Sequence, residues 1–363
     1  MVRETRSRTR AARIAEAVAT GPLGALSHDE LGVIFDGLAD PLEPELAVAL
    51  SSACHGLRVP LRAALEVLNE QNERAVFMCD YMGILDCEEL RKSKELDMSR
   101  GKNELCSVFS ADDIETLSMI IVENGLPKLE VLDLTSNRFN DDVIRSFFAS
   151  LAHGALPSLC SLYLSENKFG PAGAEALGAA LQRGAMPKLE VLELKFIEGL
   201  GNQGLAALAA PLRKLPKLTY LDVEDCGIGD EGVASLVADL GKDDFKQLMT
   251  VCLDGNKITD AGCATLVAAI QAGAMPELGE IDVEDNDASD EALDSVDTAL
   301  LARPPLQYEP AEDVEEVMEI ACVSRFKAIT SLRLSMGDVD IAIGALAEAF
   351  PIYGANVVDP HGD

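Results

Sequence analysis

The sequence predicts an α/β solenoid shaped as a horseshoe, in which strand–helix repeats of about 30 residues stack behind a helical N-terminal module. Three observations lead to this fold class. A leucine pattern recurs six times at nearly constant spacing, and a helical pattern follows each copy. Hydrophobic residues make up 48% of the chain, yet aromatic residues make up only 4% and Trp is absent. A core of Leu, Ala and Val suits thin, regular layers better than a domain built around large rings.

Six repeats extend over residues 126–306, and each carries a version of the pattern L-x-x-L-x-L-x-x-N. The first repeat supplies Leu129, Leu132, Leu134 and Asn137. The L-x-L core predicts a short strand, because alternate side chains of a strand face opposite sides and the leucines can then share the inner side. The repeats begin at Leu126, Leu156, Met186, Leu215, Phe245 and Met275.

The last position of the pattern is expected to satisfy backbone groups where the chain leaves the strand, because buried polar groups need hydrogen-bond partners. Cys226 stands there in the fourth repeat and can act as a weaker donor. Ile197 stands there in the third repeat and cannot, so we expect an irregular turn through Gly199 and Gly201. The other repeats carry Asn137, Asn167, Asn256 and Asn286.

The second half of each repeat predicts a helix. In the fifth repeat Asp260 is the expected N-cap, and Leu266 and Ile270 lie one turn apart on an apolar face. Asp230 and Asp290 occupy the position of Asp260 in the fourth and sixth repeats. The helices are therefore expected to form a second layer behind the strands.

These features resemble the ribonuclease-inhibitor class of leucine-rich repeats over about half of the chain. The resemblance implies a right-handed horseshoe whose strands line the concave face. The Asn or Cys that this class places at the turn is matched at Cys226 and at the four asparagines, and it is missed at Ile197.

The segments that flank the array follow the pattern only in part. Leu96 and Met98 are expected to form the strand of a degenerate first repeat, and the leucine register returns once more from Ile329 to Leu334. Terminal repeats are expected to be atypical, because one face of each meets solvent. We divide the flanks into an Arg-rich tail expected to be disordered (1–22), a degenerate first repeat or cap (76–125), an acidic insertion (307–325) and a terminal capping repeat with a tail (326–363).

Residues 23–75 predict two or three short helices with apolar faces at helical spacing. This segment resembles the F-box, the module through which ubiquitin-ligase substrate receptors dock onto their adaptor. Ser27 replaces the usual Pro of that motif, and Leu57 stands where Trp is common. A plain helical cap is the alternative. The residues that the resemblance implies in adaptor docking are Leu31, Ile34, Phe35 and Leu38.

The formal net charge of −32 at pH 7 argues against a nucleic-acid-binding surface and against binding to an anionic membrane, and it favours basic partners. The four His residues show no metal-like spacing, and neither a phosphate-binding loop nor a nucleophile elbow occurs. We therefore expect no catalytic residues, no cofactor and no metal. Nine cysteines without a secretory signal predict free thiols in a reducing compartment, cytoplasmic or nuclear.

The residues that flank the buried leucines are expected on the concave face, where they would bind a protein partner. Eight of the twelve such residues in the last three repeats are acidic, against three of twelve in the first three. We expect a basic protein or peptide there, held by aromatic anchors near the middle. The predicted partner-binding residues are Tyr163, Phe196, Tyr220, Asp222, Glu224, Asp225, Asp254, Glu280, Asp282, Glu284 and Asp285.

Two more specific functions stay open. The F-box resemblance, combined with the repeats, implies the substrate receptor of a ubiquitin ligase. GTPase-activating proteins of the Ran type also resemble this repeat class, and Arg138, Lys168 and Lys257 could line one rim to stabilise the charge of a transferring phosphate. Binding of the ligase adaptor would favour the receptor, whereas stimulated GTP hydrolysis that is lost on changing Arg138 would favour the activator.

Overall fold

A computed structural model describes residues 33–35, 38–53, 62–99, 109–123, 125–241 and 244–302 of the chain. Within these ranges, strands and helices alternate from residue 95 onward. The acidic insertion and the terminal capping repeat lie outside the described residues, and so does the Arg-rich tail.

Helices occupy the described chain ahead of the first strand, and a regular alternation follows. The leading helices are α1 (Glu45–Ala53), α2 (Arg62–Met82) and α3 (Cys87–Lys92). The alternating elements are β1 (Glu95–Asp97), α4 (Ala111–Val122), β2 (Val131–Asp133), α5 (Asp141–Ser150), β3 (Ser161–Tyr163), α6 (Pro171–Gln182), β4 (Val191–Glu193), α7 (Gly201–Arg213), β5 (Tyr220–Asp222), α8 (Asp230–Val237), β6 (Thr250–Cys252), α9 (Asp260–Gln271), β7 (Glu280–Asp282) and α10 (Asp290–Leu301).

The strands β1 to β7 form one parallel sheet in sequence order. They pair in a constant register, so that Leu132 lies between Leu96 and Leu162. Consecutive helices pack against one another behind the sheet. Strands lie about 4.8 Å apart, whereas packed helices need about 8–10 Å. The array therefore curves, with the sheet on its concave side and the helices on its convex side. The predicted α/β leucine-rich-repeat solenoid is thereby confirmed.

The leucine register forms one continuous core. In the fifth repeat Leu248, Val251 and Leu253 are buried, and Leu266 and Ile270 of α9 are buried with them. The inner side of each strand is thus covered by the helix of its own repeat and by the neighbouring repeats. Stacking therefore supplies the burial that one repeat alone could not provide.

The turn asparagines connect each repeat to the one before it. The Asn167 Nδ2 donates to the carbonyls of Leu164 and Leu134, at 2.8 and 2.9 Å. The Oδ1 of the same side chain accepts the Phe139 N–H at 2.9 Å. One amide therefore satisfies backbone groups of two adjacent repeats, as buried polar groups require. The same bridging contacts are made by Asn137, Asn256 and Asn286.

The two exceptions to asparagine behave as their chemistry dictates. The Cys226 thiol donates to the Leu194 carbonyl, with an S···O distance of 3.0 Å. Ile197 is buried and has no polar side chain to offer. Its carbonyl instead accepts the Leu200 N–H at 2.9 Å, and Gly201 enters α7 with a left-handed φ of 54°. The irregular turn expected in the third repeat is therefore present.

The N-cap prediction for the fifth repeat is wrong. Thr259 caps α9, with its hydroxyl accepting the Ala261 N–H, and Asp260 is the first residue of the helix. The Asp260 carboxylate instead accepts the Ser289 N–H of the next repeat at 2.7 Å, just as Asp230 accepts the Thr259 N–H at 2.8 Å. The aspartates link successive repeats. Capping rules consider only residues close in sequence and therefore do not predict this contact.

Removing an inward leucine should destabilise the array. We expect Leu253→Ala to lower the free energy of unfolding by about 2–5 kcal/mol, because it opens a cavity in a packed core. Denaturant titration measures this loss. The matched control is Leu301→Ala, whose side chain is 70% exposed and should change stability little. A Leu253→Ala protein as stable as the parent would contradict the register.

Removing a turn asparagine should also destabilise the array, to an extent set by burial. Asn256→Ala leaves buried carbonyls and N–H groups unpaired, and we expect a loss of about 1–3 kcal/mol or more. Asn286 makes the equivalent contacts but is partly exposed, so water can replace part of what Asn286→Ala removes. Thermal unfolding of both variants tests this order. Equal losses would show that burial does not set the cost.

Candidate partner-binding surface

The side chains between the inward leucines point away from the helices and form what we call the concave face. The strand register aligns them in columns that run across the sheet. Side chains on paired neighbouring strands lie close enough to interact, so like charges in one column destabilise each other. One such column runs through Tyr163, Glu193, Asp222, Cys252 and Asp282.

The structure places all the predicted partner-binding residues on β3 to β7 or in the turns that follow these strands. In the strands are Tyr163, Tyr220, Asp222, Glu280 and Asp282. Within two residues of a strand end are Glu224, Asp254 and Glu284. In turns with left-handed backbone are Phe196, Asp225 and Asp285.

Asp222 is not an exposed contact, since its side chain is only 2% exposed. Its Oδ2 accepts a hydrogen bond from the Tyr220 hydroxyl at 3.2 Å and lies 3.8 Å from the Lys195 Nζ. Its Oδ1 accepts the Glu224 N–H at 3.1 Å. The prediction of Asp222 as part of an exposed acidic surface is therefore wrong, because this carboxylate is used to organise its neighbours.

Tyr220 connects Asp222 to Cys252, a residue that was not among the predicted ones. The Tyr220 hydroxyl lies 3.3 Å from the Cys252 Sγ. Burial, followed by Cys252 and Asp222, raises the pKa of Tyr220, so the hydroxyl stays protonated. Burial raises the pKa of Cys252 to about 12, which leaves this thiol unreactive at neutral pH. The strand register was the signal that could have identified Cys252.

Lys195 supplies the positive charge at the centre of the concave face. Burial lowers the pKa of Lys195, but the carboxylates of Glu193, Asp222 and Glu224 outweigh it and raise that pKa above its ordinary value. The side chain is thus held as an ammonium. No Lys or Arg occupies the equivalent positions in the turns after β5, β6 and β7. Negative charge toward the C-terminal end of the sheet is therefore not balanced from within the concave face.

Beyond Lys195, burial and neighbouring carboxylates raise the pKa of Asp254 and of Glu224. Burial, followed by Asp282 and Glu224, raises the pKa of Asp254 to about 7. Burial, followed by Asp222, raises the pKa of Glu224 in the same direction. These shifts mean that it costs free energy to keep Asp254 and Glu224 ionised, and a cation placed near them would reduce that cost. We call this region the acidic half, defined by Glu224, Asp254, Glu280, Asp282 and Glu284.

An aromatic ring lies beside Lys195 at the edge of the acidic half. Phe196 is 41% exposed and has a left-handed φ of 58°. The equivalent residues Glu166 and Asp225 have φ values of 56° and 51°, so this conformation belongs to the repeat and not to phenylalanine. Tyr163 is partly buried one strand before Phe196. A ring held outward in this way can act as an apolar anchor for a partner.

The basic rim residues are exposed, as the sequence predicted for Arg138, Lys168 and Lys257. Each of them follows a turn asparagine. Arg138 and Lys168 belong to adjacent repeats, whereas Lys257 lies three repeats after Lys168. The rim therefore spreads these charges along the array and does not gather them around one point.

Part of the predicted adaptor-docking face is buried. Phe35 is only 1% exposed, while Ile34 and Leu38 are partly exposed. Leu31 lies outside the described residues. The adaptor-docking role of these residues stays a prediction, but the ring of Phe35 is enclosed in the interior and does not form part of an exposed face.

The described residues hold neither a metal-binding cluster nor a membrane-spanning helix. Their His, Cys, Asp and Glu side chains form no group of three or more that could hold a metal ion. No helix in these ranges combines the length and apolar character needed to cross a membrane. The cysteines that the structure describes are free thiols.

Comparison with known families matches three segments, residues 125–142, 155–178 and 214–237, to the family described as Leucine Rich repeat. These segments contain β2, β3 and β5, so the chain contains leucine-rich repeats at the positions where the sheet is built. A comparison with curated proteins found no match.

Comparison with solved structures also returns matches. Seventy-one chains match, among them one from a structure entitled "Crystal structure of TLR13-ssRNA13 complex". That match has 18% identity and a TM-score of 0.28, and it covers 59% of this chain and 33% of that chain. The present chain thus spans about a third of the length of that protein.

The raised pKa of Asp254 has a measurable effect on stability. A folded-state pKa of about 7 against an ordinary value of 3.8 means that the folded chain binds the extra proton between these limits. Stability should therefore fall as pH rises through this window, by up to about 1.4 kcal/mol per pH unit.

Asp254→Asn should remove this dependence. We expect the variant to be more stable than the parent at pH 8 and the difference to shrink toward pH 4. Thermal unfolding across this range gives the measurement. Asp287→Asn, the same chemical change at an exposed position, is the control. Parallel pH profiles for the parent and Asp254→Asn would contradict the raised pKa.

Proposed function

We propose that this chain is a protein-interaction scaffold that binds a basic protein or peptide on the acidic half of its concave face. The observation that carries the proposal is the absence of Lys and Arg from the concave positions of β5 to β7 and of the turns that follow them, where carboxylates of neighbouring repeats lie close enough to raise the pKa of Asp254. Leucine-rich-repeat arrays present an extended concave surface that suits binding of this kind.

The electrostatic cost of the acidic half favours a cationic ligand. The raised pKa of Asp254 indicates repulsion from Asp282 and Glu224 in addition to the effect of burial. An ammonium or guanidinium group placed among these side chains replaces repulsion with attraction. The summed field of several carboxylates would also accelerate encounter with a basic partner and discriminate against acidic ones.

The other part of the concave face is suited to a less charged part of the ligand. Phe196 offers an exposed ring, and Lys195 next to it is already neutralised by surrounding carboxylates. Val131 and Val191 on β2 and β4 are partly exposed. We therefore propose a ligand with a basic segment against β5 to β7 and an apolar residue against Phe196.

Two more specific functions, the ubiquitin-ligase receptor and the Ran-type GTPase activator, have less support than this proposal. The buried Phe35 weakens the adaptor-docking argument. Arg138 is exposed, but it lies four repeats before Lys257, so these two side chains do not form a compact phosphate-binding group. The net charge of −32 likewise supports a protein ligand over a nucleic acid.

The test compares two triple charge reversals that have the same net charge. The first carries Asp254→Lys, Asp282→Lys and Glu284→Lys, all within the acidic half. Its matched control reverses exposed helix residues and carries Glu175→Lys, Glu231→Lys and Glu291→Lys. Asp222 is excluded, because a buried lysine there would threaten the fold.

The probes are a fluorescent lysine-rich peptide and a fluorescent single-stranded RNA, followed by anisotropy at low and high salt. We expect the parent and the control to bind the peptide with similar affinity, weakened by salt. The acidic-half variant should bind at least about ten-fold more weakly, a difference of about 1.4 kcal/mol. Thermal unfolding confirms that each variant is folded. Equal peptide binding by both variants, or binding of the RNA in preference to the peptide, would contradict the proposal.

A further inference from the structure

Two thiols are in contact where α2 meets α3. Cys79 lies in the last turn of α2, and Cys87 is the first residue of α3. Their sulfur atoms are 4.0 Å apart, and the two residues are 1% and 8% exposed. Both are free cysteines. The contact lies at the opposite end of the described array from the acidic half.

The backbone between these cysteines holds them together. The Ile84 N–H donates to the Cys79 carbonyl at 2.9 Å, and Gly83 turns the chain with a left-handed φ of 73°. Asp86 then caps α3 by accepting the Glu89 N–H at 2.8 Å. The closeness of the two sulfurs is therefore set by a hydrogen-bonded turn and does not depend on side-chain conformation alone.

The two thiols differ in how readily they ionise. The hydrogen bond from Cys79 lowers the pKa of Cys87 and, together with the smaller effect of Arg91, outweighs burial and the charges of Asp86 and Asp40, which raise it. The same hydrogen bond, followed by burial, raises the pKa of Cys79. Cys87 is also the more exposed of the two. Because the thiolate is the reactive form of cysteine, Cys87 is the more nucleophilic of the two residues.

We infer that Cys79 and Cys87 form a reversible intramolecular disulfide, a redox modification site in the N-terminal helices. The oxidant is a peroxide. The Cys87 thiolate attacks one peroxide oxygen, the O–O bond breaks, and the leaving hydroxide takes up a proton to become water. Cys87 is then a neutral sulfenic acid. The peroxide has been reduced by two electrons, and the sulfur has been oxidised by two.

The second step joins the sulfurs. Once Cys87 is neutral, the thiolate that raised the pKa of Cys79 is gone, so Cys79 loses its proton more easily. Its sulfur attacks the Cys87 sulfur, the S–S bond forms, and the S–O bond breaks to release hydroxide, which is protonated to water. Overall, two thiols and one hydrogen peroxide give one disulfide and two waters.

The bond would fasten α2 to α3 just ahead of the first strand of the sheet. A disulfide holds its sulfurs about 2.05 Å apart, so the two atoms must approach by about 2 Å from their contact in the reduced chain. Lys94, two residues after α3, accepts backbone N–H groups of Glu130 and Val131 through its carbonyl. Cross-linking therefore limits movement of the helices next to the edge strand β1.

To test this, the full reduced chain is treated with limiting hydrogen peroxide and the remaining thiols are blocked. Mass spectrometry of the proteolytic peptides then identifies which cysteines have been oxidised or cross-linked. Cys160 is the internal comparison: it is more exposed than either member of the pair, but burial, followed by Glu190 and Glu130, raises its pKa. We expect the peptide linking Cys79 to Cys87 to appear at least about ten-fold faster than Cys160 is oxidised. A reducing agent should reverse it.

Single substitutions separate the two roles. Cys79→Ser should leave a sulfenic acid at Cys87 that dimedone traps, whereas Cys87→Ser should give neither adduct nor cross-link. Cys160→Ser should leave the cross-link unchanged. Cys79→Ala serves if the serine variant fails to fold. Oxidation of Cys160 before the pair overturns the inference, and so do cross-links from either cysteine to Cys54, Cys106 or Cys322 in place of the expected one.

Discussion

Each repeat carries an apolar face that it cannot bury by itself. Leu162 on β3 is buried because Leu132 and Leu192 lie beside it on paired strands and a helix covers its inner side. The same requirement applies to every repeat, so all strands must run parallel and keep one register. The helices must then lie on one side of the sheet, and the outward strand residues are left to face the concave side. Stability and the position of the candidate site thus follow from one packing constraint.

The turn after each strand must also satisfy the hydrogen bonds of its buried backbone groups. Asn167 satisfies carbonyls of two neighbouring strands and an N–H of the preceding turn, so its amide is part of the interface between repeats. Cys226 meets the requirement with a single S–H···O contact. Ile197 leaves it to backbone hydrogen bonds and to the glycine at the start of α7. The array tolerates these departures because its apolar core continues through the same positions, where both side chains are buried.

The register that stacks leucines inside also stacks charges outside. Asp222 and Glu193 occupy one column, and together with Glu224 they raise the pKa of Lys195, whose Nζ lies 3.8 Å from Asp222. Toward the C-terminal end, Asp254 has Glu224 and Asp282 as neighbours and no concave-face cation. Each strand has only three residues and all strands share one register, so like charges at the same position of successive repeats lie next to each other. Protonation lowers the cost of this arrangement, as the raised pKa of Asp254 reflects, and so does any positive charge placed nearby.

The sequence by itself determined the repeats, the strand positions and the turn asparagines, because a two-residue alternation and a fixed polar position are properties of local chain geometry. It also located the columns that carry the acidic half. Other features depended on residues distant in sequence. Asp222 is buried by its neighbours, and Asp260 bonds to the next repeat, so Thr259 caps the helix instead. Phe35 is enclosed, and Cys79 meets Cys87 across the turn that joins α2 to α3. Burial and contact across elements arise only when the chain is folded, and for this reason the tertiary structure decided them.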